Sequence, residues 1–239
     1  MAANPKFKVN KFKYFVAQAT RPLVRMLGSK FYVSLQYRYV TGRKLQWKAL
    51  ERYTEKLQYL RLYHFPFNHE VIMATSRIGA RIRVARLDLA DILIPLLGIY
   101  HDANDIDFAT LPNKFVIKAT HGCALNYICT DKRKLNFSAL RKMLNKWLAL
   151  DYGRKTVEPH YSKIRPGLII EQYIGETTKL PTEYKIHVFN GKARYLYVVS
   201  DRGEDIRYDN FYIDYTPFNE AQFNDWDSSD VPPKKPAIF

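Results

Sequence analysis

The chain has 239 residues, 47% hydrophobic and 15% aromatic, enough apolar material for a folded protein and too much for a disordered one. No run approaches the roughly 20 apolar residues that span a bilayer, and no apolar leader with a small-residue cleavage site opens the chain. The expectation is therefore a cytoplasmic protein without a secretory signal. Net charge is +15, unevenly spread: residues 1–50 hold eleven Lys/Arg and no Asp or Glu, leaving +4 for the rest. Such a block attracts polyanions. Its interleaved aromatics (Phe7, Phe12, Tyr14, Phe15, Phe31, Tyr32, Tyr37, Tyr39) suit peripheral contact with an anionic membrane at its inner face. RNA is a poorer partner for it, because no RRM, KH or zinc-knuckle pattern is present, and no nucleic acid is expected.

In chain order, residues 10–45 read as helix in pieces, broken by Pro22 and Gly28, with Gly42 as a stop. Trp47, Leu50, Tyr53, Leu57 and Leu60 recur at three- and four-residue steps, one face of a helix over 47–62. Residues 77–90 suit a second helix, with arginines at 77, 81, 83 and 86. Pro95 follows an apolar run that suits a short strand. The acidic stretch His101–Asp107 reads as a border.

Phe115-Val116-Ile117 and Tyr127-Ile128-Cys129 read as two strands of a hairpin, followed by a helix over 137–150. Leu168 to Ile174 is an apolar strand with Glu171 near its end. Glu183–Phe189 and Ala193–Ser200 flank Asn190-Gly191, a strong hairpin signal. The tail, 224–235, is acidic and then proline-rich, and reads as loosely ordered.

The chemistry starts at Lys118. A lysine at a strand end, followed by the small-residue turn Ala119-Thr120-His121-Gly122 and a returning strand, suits phosphate binding. The ammonium supplies a point charge, and turn N–H groups can point at phosphate oxygens. An ordinary hairpin with a surface lysine fits the same residues. His121, Cys123 and Cys129 lack the paired spacing of a zinc site, so no metal is assigned to them. Two cysteines do not make a disulfide framework.

Four segments, FVIKATHG (115–122), LIIEQYI (168–174), EYKIHVFNGK (183–192) and VVSDR (198–202), together resemble the TupA-like branch of the ATP-grasp proteins, associated with teichuronopeptide and surface-polysaccharide assembly. EKLQYLRLY (55–63), LIPLLGIY (93–100) and Glu158-x-x-Tyr161 extend the likeness over about residues 45–218. The resemblance implies an α/β (α+β), ATP-grasp-like fold. A basic, aromatic-rich region would cover 1–45, a helical subdomain 46–107 and an antiparallel-sheet nucleotide-binding part 108–239.

It also implies ATP and Mg²⁺ as cofactors and carboxylate–amine ligation through an acyl-phosphate. The acceptor would be an anionic polysaccharide or an amino acid. Lys118 would contact the α- and β-phosphates, under a flexible loop from His121 and Gly122 to Asn126. Glu171, Gln172, Tyr173 and Ile174 would form the hinge, with backbone groups of Gln172 and Ile174 reading adenine. Glu183 would face the ribose or a phosphate-side partner, Lys185 the γ-phosphate, and Arg202 the acceptor carboxylate or acyl-phosphate. Lys185 and Arg202 are thus the catalytic candidates.

Three departures from the family pattern stand out. Ser76-Arg77 replaces an Asp-Lys pair whose lysine binds phosphate, while Arg81 matches a family arginine. The loop reads His121-Gly122-Cys123-Ala124 where His-Gly-Ser-Gly is usual, losing a glycine and a hydroxyl. The Asp and Glu that hold Mg²⁺ in the family are not found before Phe239. The expectation is a truncated chain or an incomplete metal site, and so a ligase that is either active or, for want of the metal ligands, weakened or inactive. The alternative is a non-catalytic basic module for an anionic glycan, lipid or nucleic acid. A glycan-transferring enzyme of another fold would need an Asp-x-Asp metal motif, and Asp105-x-Asp107 and Asp225-x-Asp227 lie in polar loops without a nucleotide-binding pattern.

Overall fold

A computed structural model describes residues 25–175, 180–201, 205–218, 228–229, 231 and 233–236. The basic stretch before residue 25, Arg202 and half of the 224–235 tail lie outside the described residues. Chain contacts divide the rest into two compact units, one reaching to Tyr173 and one starting at Ile174.

In the first unit, α1 (Ser29–Thr41) ends at Gly42, whose N–H donates to the Arg38 carbonyl at 2.9 Å. Tyr32, Val33 and Tyr37 turn inward against Leu45, Val157, Trp47, Leu50 and Leu62. This helix is thus part of a core.

Helix α2 (Tyr53–Tyr63) starts six residues later than the apolar spacing suggests. The buried Glu55 carboxylate takes the N–H groups of Glu51 and Arg52 at 3.1 and 3.0 Å, which fixes the first turn there. Arg61 then ties α2 to the far side of the unit by donating to the Val157 carbonyl at 2.7 Å and to that of Thr156.

Helices α3 (His69–Thr75) and α4 (Arg77–Ala85) are capped by Asn68 and Ser76 side chains, which accept from Val71 and Gly79 N–H groups. At Gly79 the two helices touch so closely that a Cβ would fall 2.2 Å from the Met73 carbonyl oxygen. Helix α4 stops at Ala85, short of the expected 90, and Asp88 sits at φ +58°.

Four strands form an antiparallel sheet in the order β1-β4-β2-β3: β1 (Leu96–Tyr100), β2 (Phe115–Ala119), β3 (Asn126–Cys129) and β4 (Leu168–Gln172). Strand β1 follows Pro95, while the apolar residues before it form a short 3-10 turn over Ala90–Ile92. Helix α5 (Phe137–Leu148) lays Leu140 and Leu144 on one sheet face. The acidic segment before β2 is not a free linker, since Ala103, Ile106 and Phe108 belong to the same core. Its aspartates turn outward as local caps, as when Asp102 accepts from the Asn104 N–H at 2.8 Å. Helix α6 (Tyr152–Thr156) is capped by Asp151 and leads to the stretch before β4.

The second unit is an antiparallel sheet, β5 (Glu183–Phe189), β6 (Lys192–Ser200) and β7 (Arg207–Tyr212), in that order. Asn190 and Gly191 both take positive φ, +50° and +75°, as the two-residue hairpin requires. Leu196, Val198 and Phe211 form its buried side. No helix among the described residues is long and apolar enough to cross a membrane. The architecture is α+β, short helices combined with antiparallel sheets.

One buried histidine makes the stability of the first unit pH-dependent. His160 packs edge-on against Phe65, and its Nδ1 has no partner among the described residues. Burial pushes its pKa below the ordinary value of 6.5, opposed by the Glu158 carboxylate and reinforced by Arg61. The unfolded chain then takes up the proton first, so stability is fully present above about pH 6.5 and is lost as pH falls below it. His160→Gln is expected to flatten the decline of Tm between about pH 7 and pH 5. An unchanged slope in the variant would show that other groups set it.

Candidate functional site

Strand register sorts the first sheet into two faces. Val116 lies opposite Glu171, and Lys118 opposite Ile169. Alternation therefore puts Phe115, Ile117, Ala119, Leu168 and Ile170 on the side covered by α5, and Val116, Lys118, Ile169 and Glu171 on the other.

On that second face the Glu171 carboxylate, only 5% exposed, is held by two cations. Arg81 of α4 donates to Oε1 at 2.9 Å and to the Ile94 carbonyl at 2.7 Å. Lys118 Nζ stands 2.5 Å from Oε2, in a contact too poorly directed to count as a hydrogen bond. The group carries a surplus of one positive charge. Its carboxylate positions the ammonium, whose flexible stem lets it turn to a stronger anion. An arginine four residues after Arg77 shares its helix face, and that spacing is the signal by which Arg81 could have been chosen from the sequence.

Arg77 reaches the loop rather than the carboxylate. Its guanidinium donates to the Ala119 carbonyl at 2.9 Å and to Asn126 Oδ1 at 3.2 Å, one on each stem of the loop. Its own N–H donates to the Thr120 carbonyl at 3.3 Å. The planar fork of the arginine, with several N–H donors in fixed directions, suits it to span the two stems.

The loop itself is half anchored, in contrast to the flexible cover expected from 121 onward. His121 is 2% exposed and donates from Nε2 to the Trp147 carbonyl at 3.0 Å, leaving Nδ1 buried without a partner among the described residues. Gly122 is buried, and a Cβ there would meet the Tyr152 ring at 2.9 Å. Only Cys123 and Ala124 at the tip are exposed. Cys123 Sγ lies 3.0 Å from the Tyr161 hydroxyl. Burial, and then the thiol beside it, pushes the Tyr161 hydroxyl far up, and burial above all raises that of Tyr152 to about 12. Both stay neutral and able to donate. Ala124 sits at φ +58°, the left-handed conformation for which a glycine would be unstrained. Cys129 points elsewhere, toward the Asn113 carbonyl at 3.6 Å.

At the expected hinge, the Gln172 N–H is already committed to the Pro95 carbonyl at 3.0 Å. This N–H is therefore not available to an adenine in the structure as it stands. The Tyr173 ring lies under Lys114 at 5.9 Å, and Ile174 is exposed.

In the second unit Glu183 and Lys185, two apart on β5, pair with each other at 2.7 Å. His187 continues their face and stacks on Tyr195 at 4.3 Å. Among the described residues no three His, Cys, Asp or Glu side chains group together. The buried Asp209 accepts from the N–H and hydroxyl of Ser229 at 3.0 and 2.8 Å, and Asp205 is taken by Arg207.

Antiparallel sheets and short helices, with a strand-end lysine beside a glycine-containing loop, are consistent with a nucleotide-handling fold of the ATP-grasp class. The family model described as TupA-like ATPgrasp matches residues 55–230, well over half of the chain, and the protein belongs to that family. Membership gives ATP-dependent ligase chemistry at a coarse level, in a family that generally uses ATP and Mg²⁺. No curated protein and no solved structure matches the chain.

Two substitutions probe this geometry. Glu171→Gln leaves Arg81 and Lys118 without their counter-charge and is expected to cost about 3 kcal/mol in denaturant unfolding. Adding Lys118→Met should recover part of that loss, and strictly additive effects would show that the two groups do not act as a pair. Ala124→Gly is expected to gain about 1 kcal/mol by relieving the positive φ. A loss in its place would mean that the methyl group matters more than the backbone.

Proposed function

We propose that the chain binds ATP at the open face of its first sheet and uses it to activate a carboxylate for joining to an amine. The observation that carries this reading is the Arg81–Glu171–Lys118 group beside a phosphate-sized loop, within a chain of the ATP-grasp family. Lys118 exchanges Glu171 for phosphate oxygens, and Arg81 keeps the carboxylate neutralised when the lysine leaves. Arg77 holds the loop stems together, so the loop tip at Cys123 and Ala124 is the part that moves onto phosphate. The Tyr161 hydroxyl gives that tip a resting partner.

In the reaction a carboxylate oxygen attacks the γ-phosphorus, the bond to the β-phosphate oxygen breaks, and ADP leaves. The amine then attacks the acyl carbon, phosphate departs with its bonding pair, and the nitrogen loses a proton to solvent. Positioning and charge neutralisation carry most of such catalysis. Lys185 and Arg202 are the candidates for the γ-phosphate and the acyl-phosphate. A uronic-acid carboxylate or an amino acid is the proposed acceptor, and assembly of an anionic surface polysaccharide in the cytoplasm the proposed setting.

A second reading keeps nucleotide binding without ligation. It is favoured by two acids of the second unit being already engaged, Asp205 by Arg207 and Asp209 by Ser229.

Calorimetry with ATP, with and without Mg²⁺, separates these readings. Saturable binding by the wild type is expected, weakened at least about tenfold in Lys118→Ala, which removes the phosphate-facing charge. A Mg²⁺-dependent increase in affinity supports ligation, and its absence supports binding alone. No binding by the folded wild type would end the nucleotide reading.

A further inference from the structure

We infer that the outward face of helix α1 docks on an anionic membrane surface. The helix is apolar on two sides, and only one of them is used by the core. Tyr32, Val33 and Tyr37 are buried. Phe31, Leu35 and Tyr39, spaced four apart, are 50%, 47% and 46% exposed, and Leu27, just before the helix, is 67% exposed. A repeat of four residues keeps these side chains on one stripe.

What surrounds the stripe decides its occupant. Lys30 and Arg38 of the helix, and Arg43, Lys44 and Lys48 shortly after its end, are all exposed, and residues 1–50 contain no acid. A second copy of the chain would bring the same cations face to face, which costs free energy. A soluble polyanion would satisfy the cations but leave four large apolar side chains in water. An anionic bilayer surface satisfies both. The rings and the leucines enter the headgroup boundary, and the cations stay among the phosphates above. The Lys30 ammonium lies over the Trp47 ring, with Nζ 5.5 Å from the centroid. Neither the match to the ligase family nor the ion-paired sheet face enters into this inference.

The test is flotation of the full chain with vesicles of phosphatidylcholine, with and without phosphatidylglycerol. Removal of α1 is unsuitable because Tyr32, Val33 and Tyr37 would go with it. The double variant Phe31→Ser/Leu35→Ser and the double variant Lys30→Glu/Arg38→Glu alter only exposed positions. The wild type is expected to float with the anionic vesicles and not with the neutral ones, and each variant to bind about tenfold or more weakly. Raising salt from about 0.1 to about 0.5 M should weaken wild-type binding.

Equal binding by the wild type and the serine variant would overturn the proposal. So would equal binding to neutral vesicles, self-association that the serine variant abolishes without any vesicle binding, or binding to heparin alone. Circular dichroism checks that the variants fold. Should the serine pair unfold, Phe31→Trp decides by its fluorescence: a blue shift on adding anionic vesicles supports the inference and no shift overturns it.

Discussion

The arrangement of the first unit depends on one carboxylate. Glu171 lies on the second strand of the four-stranded sheet, in a register that leaves it on the face opposite the main core. A charge so nearly removed from water is tolerable only with close counter-ions. Arg81 and Lys118 meet that demand, and in doing so they fix two other things. Arg81 ties α4 to the sheet and to the chain before β1, and Lys118 is held at the strand end from which the loop departs. A structural necessity and a phosphate-ready cation are thus the same contact.

The loop answers to a different set of constraints. Its first half is buried against α5 and α6 through His121 and Gly122, and its stems are bridged by Arg77. What remains free is very short, two residues, one resting on a tyrosine hydroxyl and one in a conformation that costs an alanine some strain. The replacement of a glycine and a serine in the family pattern is therefore felt at the tip, where motion is needed, and not at the anchored base.

Much of this was legible in the chain itself. The β2–β3 hairpin, the apolar strand carrying Glu171 and the Asn190-Gly191 hairpin all announce themselves through period-two patterning or turn chemistry, which act locally. The late start of α2 was not legible, because it depends on where the Glu55 side chain folds back. Strand β7 was missed because Arg207–Tyr212 mixes charged, amide and aromatic residues whose alternation makes sense only beside β6. At the site, Lys118 and Glu171 were chosen from the sequence, yet their pairing was not, since 53 residues of chain separate them. The bridging role of Arg77 was hidden for the same reason: both stems it spans are distant in sequence.

The contact between Gly79 and the Met73 carbonyl has a consequence for how this protein can vary. Helix α4 carries both arginines of the site, and its distance from α3 is set by the missing side chain at that one position. Even a methyl group there would shift the helix as a body, carrying one guanidinium away from the carboxylate and the other away from the loop stems. The chain is thus vulnerable at a neutral residue that touches no ligand-facing group. Inheritance of an intact charge constellation would not suffice to preserve its geometry, because the hydrogen atom of Gly79 acts as a spacer for the two cations together.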